Sequence, residues 1–204
     1  LYLGADELIV GERGPAPGLV PTFPELTCHS VEDFRVLNDR EQQRYRISEE
    51  DIATYTREVI PYWNGRTIRE RIFNYVPDEW LRAYQAGLFT EFMEQRAAGH
   101  TALDGQLYRQ GLLDFKQQIA EQIEALDYLN DPQATDRFEQ LTAMDISCDA
   151  VMLFARRHAV MAEKLAQHEP NPQRQAELYQ VAEVCRRVPA NKPQTFHEAI
   201  QAYW

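Results

Sequence analysis

What the sequence lacks narrows the field first. Its 204 residues contain no run of 18 apolar residues, which excludes a transmembrane helix. No basic segment leads into an apolar stretch, so no secretory signal is visible. Its 3 cysteines are Cys28, Cys148 and Cys185. They are odd in number and form no C-x-x-C pair, which disfavours a disulfide framework or a zinc site. There is no cationic stripe either. The net charge is −11, and arginines alternate with acids, as in EQQRYRISEED over 41–51. A nucleic-acid binder needs clustered Lys and Arg to displace counterions, so that class is set aside. What remains, 44% apolar and 26% charged residues, describes an ordinary soluble globular chain.

Several chemical signatures are missing as well. GERGP has two glycines but is not G-x-G-x-x-G, and no G-K-[ST] follows, so no phosphate cradle is indicated. No H-E-x-x-H pair supports a helical zinc site, and no G-x-S-x-G marks a hydrolase nucleophile. No internal repeat or low-complexity segment interrupts the chain.

The pattern that is present is mainly helical, behind a short extended arm over 1–30. In that arm ELIV (7–10) reads as a short strand, and the Gly/Pro-rich residues after it read as loop. Ser30 with Asp33, and Ser48 with Asp51, predict capped helix starts. The second of these helices is expected to stop at Pro61, and Asn64-Gly65 marks a turn. Thr67 to Phe73 reads as a short helix. Another is expected from Pro77-Asp78 to about Glu94, with Leu81, Tyr84, Leu88 and Phe92 in register.

After a break at RAAGHTALDG (96–105), a helix is expected to end near Asn130-Asp131-Pro132. A long one should run from about Thr135 to His168, with Phe138, Leu141, Cys148, Met152 and Ala155 on one stripe. EPNP (169–172) breaks it. A helix carrying Leu178, Val181, Cys185 and Val188 ends at Pro189, and Thr195 opens the last one. That makes seven or eight helices. The chain opens on Leu1 and closes on Trp204 inside an apolar stretch, so both ends are expected to be cuts in a longer polypeptide.

Among the 5 histidines, His158 and His168 lie in a charge-rich helix and are expected to be solvated, and His197 and His29 stand alone. His100 differs. It sits in the glycine-containing break, four residues after Arg96 and four before Asp104. Loops held by rigid helices are where binding groups concentrate. An arginine fork beside an imidazole could hold a small polar or anionic substrate. The alternative for this segment is a capping network in which Thr101 and Asp104 satisfy orphan backbone N–H groups. Cys148 and Cys185 fit small buried hydrophobes.

Five segments in order carry a family resemblance: ELIVGERGPAPGLVPTFPE, EVIPYWNGRTIRERIF, FMEQRAAGHTALDG, GLLDFKQQI and PQTFHEAIQAYW. Together they resemble the N-terminal part of glycyl radical enzymes, the pyruvate formate-lyase-like family, over essentially the whole chain. The resemblance implies that 1–30 is an arm and that 31–204 are helices packed around a ten-stranded α/β barrel lying outside these residues. It implies radical elimination from a small hydroxylated substrate, with the family's thiyl cysteine (typically G-C-V-E-P) and glycyl radical also outside this chain. None of the three cysteines matches that motif.

The glycyl radical is then the cofactor, with no metal in the enzyme itself. An S-adenosylmethionine-dependent iron–sulfur activase is the implied partner, the complete enzyme a homodimer. The implied location is the cytoplasm, with a bacterial microcompartment as the variant.

Arg96 and His100 are the residues that the resemblance places against substrate. Diol dehydratases place a His here. Isethionate sulfite-lyases are expected to place an Arg and, four residues on, a Gln, from which His100 departs. The text of the chain is nearest to these eliminating members, cleaving C–S or C–O bonds. Choline trimethylamine-lyase, hydroxyproline dehydratase, arylacetate decarboxylase and formate acetyltransferase are the alternatives within the family. A non-enzymatic helical scaffold is the alternative outside it.

Overall fold

A computed structural model describes residues 1, 3–11, 22–42, 46–89 and 103–204. Contacts divide the chain into two compact units, Leu1–Val20 with Ala102–Trp204, and Pro21–Thr101. Among the described residues the architecture is all helix and turn, with no strand. No described helix is long and apolar enough to cross a membrane.

In the second unit the helices are short and held by their ends. α1 spans Val31–Asp39 and α2 spans Glu49–Thr54. Both start with the predicted capping boxes, Ser30 with Asp33 and Ser48 with Asp51. α3 (Ile60–Trp63) continues α2 through a π-helical turn, Tyr55–Val59. This corrects the expected stop at Pro61. A proline ring collides with the carbonyl four residues back and supplies no N–H. The wider π turn just before Pro61 absorbs the mismatch, with Ile60 N donating to Tyr55 O. Phe34 and Tyr55, both buried, meet edge to face at 4.9 Å and form the small core between α1 and this rod.

α4 (Ile68–Phe73) begins at Thr67, whose hydroxyl accepts from Glu70 N at 3.1 Å while Glu70 reaches back to Thr67 N. α5 covers Asp78–Gln85, shorter than expected. Gly87 takes φ +73°, Gly87 N donates to Tyr84 O, and Leu88 N donates to Ala83 O. This is a Schellman close, which glycine permits because it has no Cβ to clash in the left-handed region.

The first unit is built on one long antiparallel pair, α7 (Ala134–His168) and α8 (Pro172–Arg187). Asn171 caps α8 by accepting from Gln173 N and Arg174 N, and Pro172 fits the first helical turn. Ala159, Ala162 and Ala166 are essentially closed to solvent, and so are Val181, Ala182 and Cys185 opposite. Small side chains on α7 let the two helices approach closely, so the buried stripe lies in its C-terminal half. Of the expected stripe only Met152 is fully buried, and Phe138 is exposed.

α6 (Leu112–Glu124) joins α7 through Lys116, which bridges Asp145 and Asp149 at 2.6 and 3.0 Å. Its first N–H groups are satisfied by carbonyls of the turn after α8: Leu112 N to Pro189 O, and Leu113 N to Ala190 O. Gly111 makes that junction possible. A Cβ there would lie 2.3 Å from Ala190 O and 2.4 Å from Asn191 Cα.

ELIV is not a strand. Residues 3–11 instead run along α8 and α9 (Phe196–Tyr203), whose side chains take up the arm's backbone polar groups. The buried Arg174 donates to Gly4 O and Glu7 O at 3.1 and 2.9 Å, and pairs with Glu177. Gln201 both accepts from Val10 N and donates to Val10 O, much as a neighbouring strand would. His197 Nε2 lies 2.7 Å from Leu8 O. Val10 inserts between α7 and α8.

Candidate substrate-contacting segment

Arg96 and His100 lie outside the described residues, and so do Phe92, Glu94 and Thr101. The nearest described residues are Phe89 before the segment and Leu103 after it.

On the N-terminal side the anchor is aromatic. After the Schellman close, Phe89 turns back onto α5, 4.8 Å from the Trp80 ring. Trp80 stacks on Tyr84 at 5.6 Å, and Phe73 of α4 meets both rings edge-on. Arg69 closes the cluster. Its guanidinium lies 4.2 Å above the Phe73 ring and donates to Tyr84 Oη at 2.8 Å. Its backbone N–H donates to Leu26 O, tying α4 to the chain that enters from the arm. Edge-to-face rings and an arginine over a ring each add about 0.5–1.5 kcal/mol beyond burial.

On the C-terminal side the chain leaves the segment through two consecutive left-handed residues, Leu103 at φ +65° and Asp104 at φ +48°. Neither is glycine, so each costs roughly 1–2 kcal/mol. They lead into a 3-10 turn, Asp104–Tyr108, which has no side-chain cap. Backbone held in a costly conformation marks a place where shape is over-determined by its surroundings.

The remaining chemistry-bearing side chains are accounted for structurally. All three cysteines are free thiols. Burial pushes Cys185 up to about 11 and raises Cys28 and Cys148, so each favours the protonated, unreactive form. Among the described residues no three His, Cys, Asp or Glu side chains are grouped to hold a metal.

His158 is a correction. It was expected in solvent, but it is buried at 1% exposure, on the same side of α7 as Ala162. Its ring meets Phe154 edge-on at 4.5 Å, and Nδ1 lies 3.1 Å from Phe154 O. With Nδ1–H donating there, Nε2 is buried with no partner. Desolvation holds its pKa below the usual value, so the ring is neutral in the fold. His168, by contrast, is exposed as expected.

Sequence reasoning missed Arg174. The available signal was its register: it falls four residues before Leu178 and eight before Ala182, on the buried stripe of α8.

The whole chain, residues 1–204, matches the family model described as pyruvate formate lyase-like. The chain belongs to that family, the glycyl radical enzymes. Its relatives include the trans-4-hydroxy-L-proline dehydratase of Clostridioides difficile, 44% identical over 204 residues, covering 100% of this chain and 26% of that protein. An isethionate sulfite-lyase of Nitratidesulfovibrio vulgaris is 31% identical, again covering 100% and 26%. The crystal structure of the C. difficile hydroxyproline dehydratase with substrate bound superposes with a TM-score of 0.81 at 44% identity, covering 100% of this chain and 26% of that one. The chain thus spans about a quarter of the length of these relatives, and the ten-stranded barrel is not among its described elements.

Proposed function

We propose that residues 1–204 form the helical N-terminal portion of a glycyl radical lyase that removes water from a small hydroxylated substrate. In this reading they supply Arg96 and His100 to one wall of its pocket. The observation that carries this is the match along the entire chain, at 44% identity, to a dehydratase of trans-4-hydroxy-L-proline. Identity to the sulfite-lyase relative is lower at 31%, so C–O cleavage of a hydroxyproline-class substrate ranks ahead of C–S cleavage.

The glycyl radical, installed by an S-adenosylmethionine-dependent activase, supplies hydrogen abstraction through a cysteine thiol when present. This chain's cysteines do not fit that role. They lie in LTCHS, ISCDA and EVCRR, and burial raises all three thiol pKa values. The radical chemistry is therefore assigned to polypeptide outside these residues.

What this chain contributes is binding and orientation. A guanidinium at Arg96 matches a substrate carboxylate by two parallel charge-assisted hydrogen bonds. An imidazole at His100 can hold the departing hydroxyl and deliver the proton it needs to leave as water.

The test is turnover by the activated full-length enzyme offered trans-4-hydroxy-L-proline, isethionate and glycerol in parallel. Dehydration of the first is expected. Sulfite release from isethionate as the dominant activity would overturn the ranking, and no glycyl radical signal after activation would overturn the class.

A further inference from the structure

The turn between α3 and α4 sets a glycine behind an asparagine, and both are exposed. Asn64 at φ −54° and ψ 121°, followed by Gly65 at φ +75°, forms a type II turn closed by Arg66 N donating to Trp63 O at 2.8 Å. Asparagine is a thermolabile residue, because its side-chain amide carbon can close a ring with the next backbone nitrogen. Glycine has no Cβ to shield that nitrogen, and the space about Gly65 is open.

Two features of the fold oppose ring closure. At ψ 121° the Gly65 nitrogen is turned away from Asn64 Cβ, so attack requires the turn to open by rotation about the Cα–C bond. The second feature is Glu70. Its carboxylate accepts from the Thr67 hydroxyl at 2.7 Å and from Thr67 N at 3.2 Å. The Thr67 hydroxyl first, and the Gly65 N–H second, hold the Glu70 carboxyl below its ordinary range, so it is ionised at neutral pH. A carboxylate against that nitrogen ties the turn down and repels the negative charge the nitrogen gains on losing its proton.

We propose that Asn64 is a site of spontaneous deamidation in the folded enzyme and that the Glu70 carboxylate restrains it. The Gly65 nitrogen gives up its proton to hydroxide and bonds to Asn64 Cγ. The Cγ–Nδ2 bond breaks, and Nδ2 takes a proton from water and leaves as ammonia. Water then opens the imide at either carbonyl, giving aspartate or isoaspartate. Isoaspartate carries an extra main-chain methylene, here within a turn whose far side is fixed by Ile68 N donating to Glu25 O at 2.9 Å. The inference stands on this turn alone and is independent of the substrate reading.

The experiment incubates the full-length enzyme at mildly alkaline pH, below its melting temperature, and follows aspartate and isoaspartate at position 64 by peptide mapping. The same protein in denaturant gives the unrestrained rate. Conversion in the folded enzyme is expected, slower than in denaturant by about tenfold, since it proceeds through local opening of the turn. Glu70→Ala should raise the folded rate by about fivefold, and Glu70→Gln, which keeps an acceptor without the charge, should fall between the two. Unchanged hydrogen exchange along α1 and α2 shows that the rise is local to the turn.

No conversion in the folded enzyme, under conditions that convert the unfolded chain, would overturn the site. Equal rates in the enzyme and Glu70→Ala would overturn the restraint. Where Glu70→Ala does not fold, Glu70→Gln decides, and an unchanged rate in that variant would overturn the restraint in the same way.

Discussion

The two units reach stability by different routes. In the first, a 35-residue and a 16-residue helix zip together along a stripe of alanine, valine and leucine, and polar side chains stitch an arm to the outside of the pair. In the second, the described helices are short apart from the rod Glu49–Trp63, and order comes from capping boxes, an edge-to-face ring pair and an arginine clamped over aromatics. Long helices spread their stability over many small contacts. Short ones concentrate it in a few directional contacts, each of which can be removed by one substitution. The candidate segment is flanked by the second kind of order at Phe89 and by costly backbone at Leu103 and Asp104.

Substitutions can break this contrast in a graded way. The largest loss is expected from Gly111→Val, because a side chain there meets backbone at 2.3–2.5 Å, not a yielding side-chain tip. Loss of about 3 kcal/mol or more in denaturant titration is the expected result. Leu178→Ala, in the buried stripe, should cost about 3 kcal/mol by the same measurement. Arg174→Met should cost about 2 kcal/mol, since it leaves Gly4 O and Glu7 O without their donor. Hydrogen exchange should then rise along 3–11 while the α7–α8 amides stay protected. Thr67→Ala removes one cap and should cost about 1 kcal/mol, confined to the second unit.

A pH dependence sharpens the comparison further. His158 belongs to the first unit and has its folded pKa depressed by burial. Above about pH 6.5 the ring is neutral both folded and unfolded, and stability is full. As pH falls below that value the unfolded chain takes up a proton that the fold refuses, so stability declines toward the folded pKa. Between pH 7.5 and 5.5 the first unit should lose stability through His158, and His158→Gln should flatten that slope. An unchanged slope would show that the ring is not the responsible group.

Much of the helix pattern was legible because it is written in local chemistry. Ser30/Asp33 and Ser48/Asp51 announced their caps, and the apolar spacing announced the long helix to His168. The misses have physical causes. Pro61 read as a stop because a π turn leaves no simple periodic trace. ELIV read as a strand because its partners turned out to be side chains from residues about 170–190 positions away, Arg174 and Gln201 among them. His158 read as solvated because two arginines precede it, although its register with Ala162 pointed inward. Gly87 did hold the signal for the early end of α5, and the apolar spacing through Leu88 masked it. The pairing of Arg96 with His100 came from context and family resemblance.

The most direct measurement is therefore kinetic. In the activated full-length enzyme, Arg96→Ala should lower kcat/KM for trans-4-hydroxy-L-proline by at least a hundredfold, about 2.7 kcal/mol of lost transition-state stabilisation. Glycyl radical content and melting temperature should stay unchanged. Unaltered turnover with a normal radical signal would contradict the placement of this segment at the substrate.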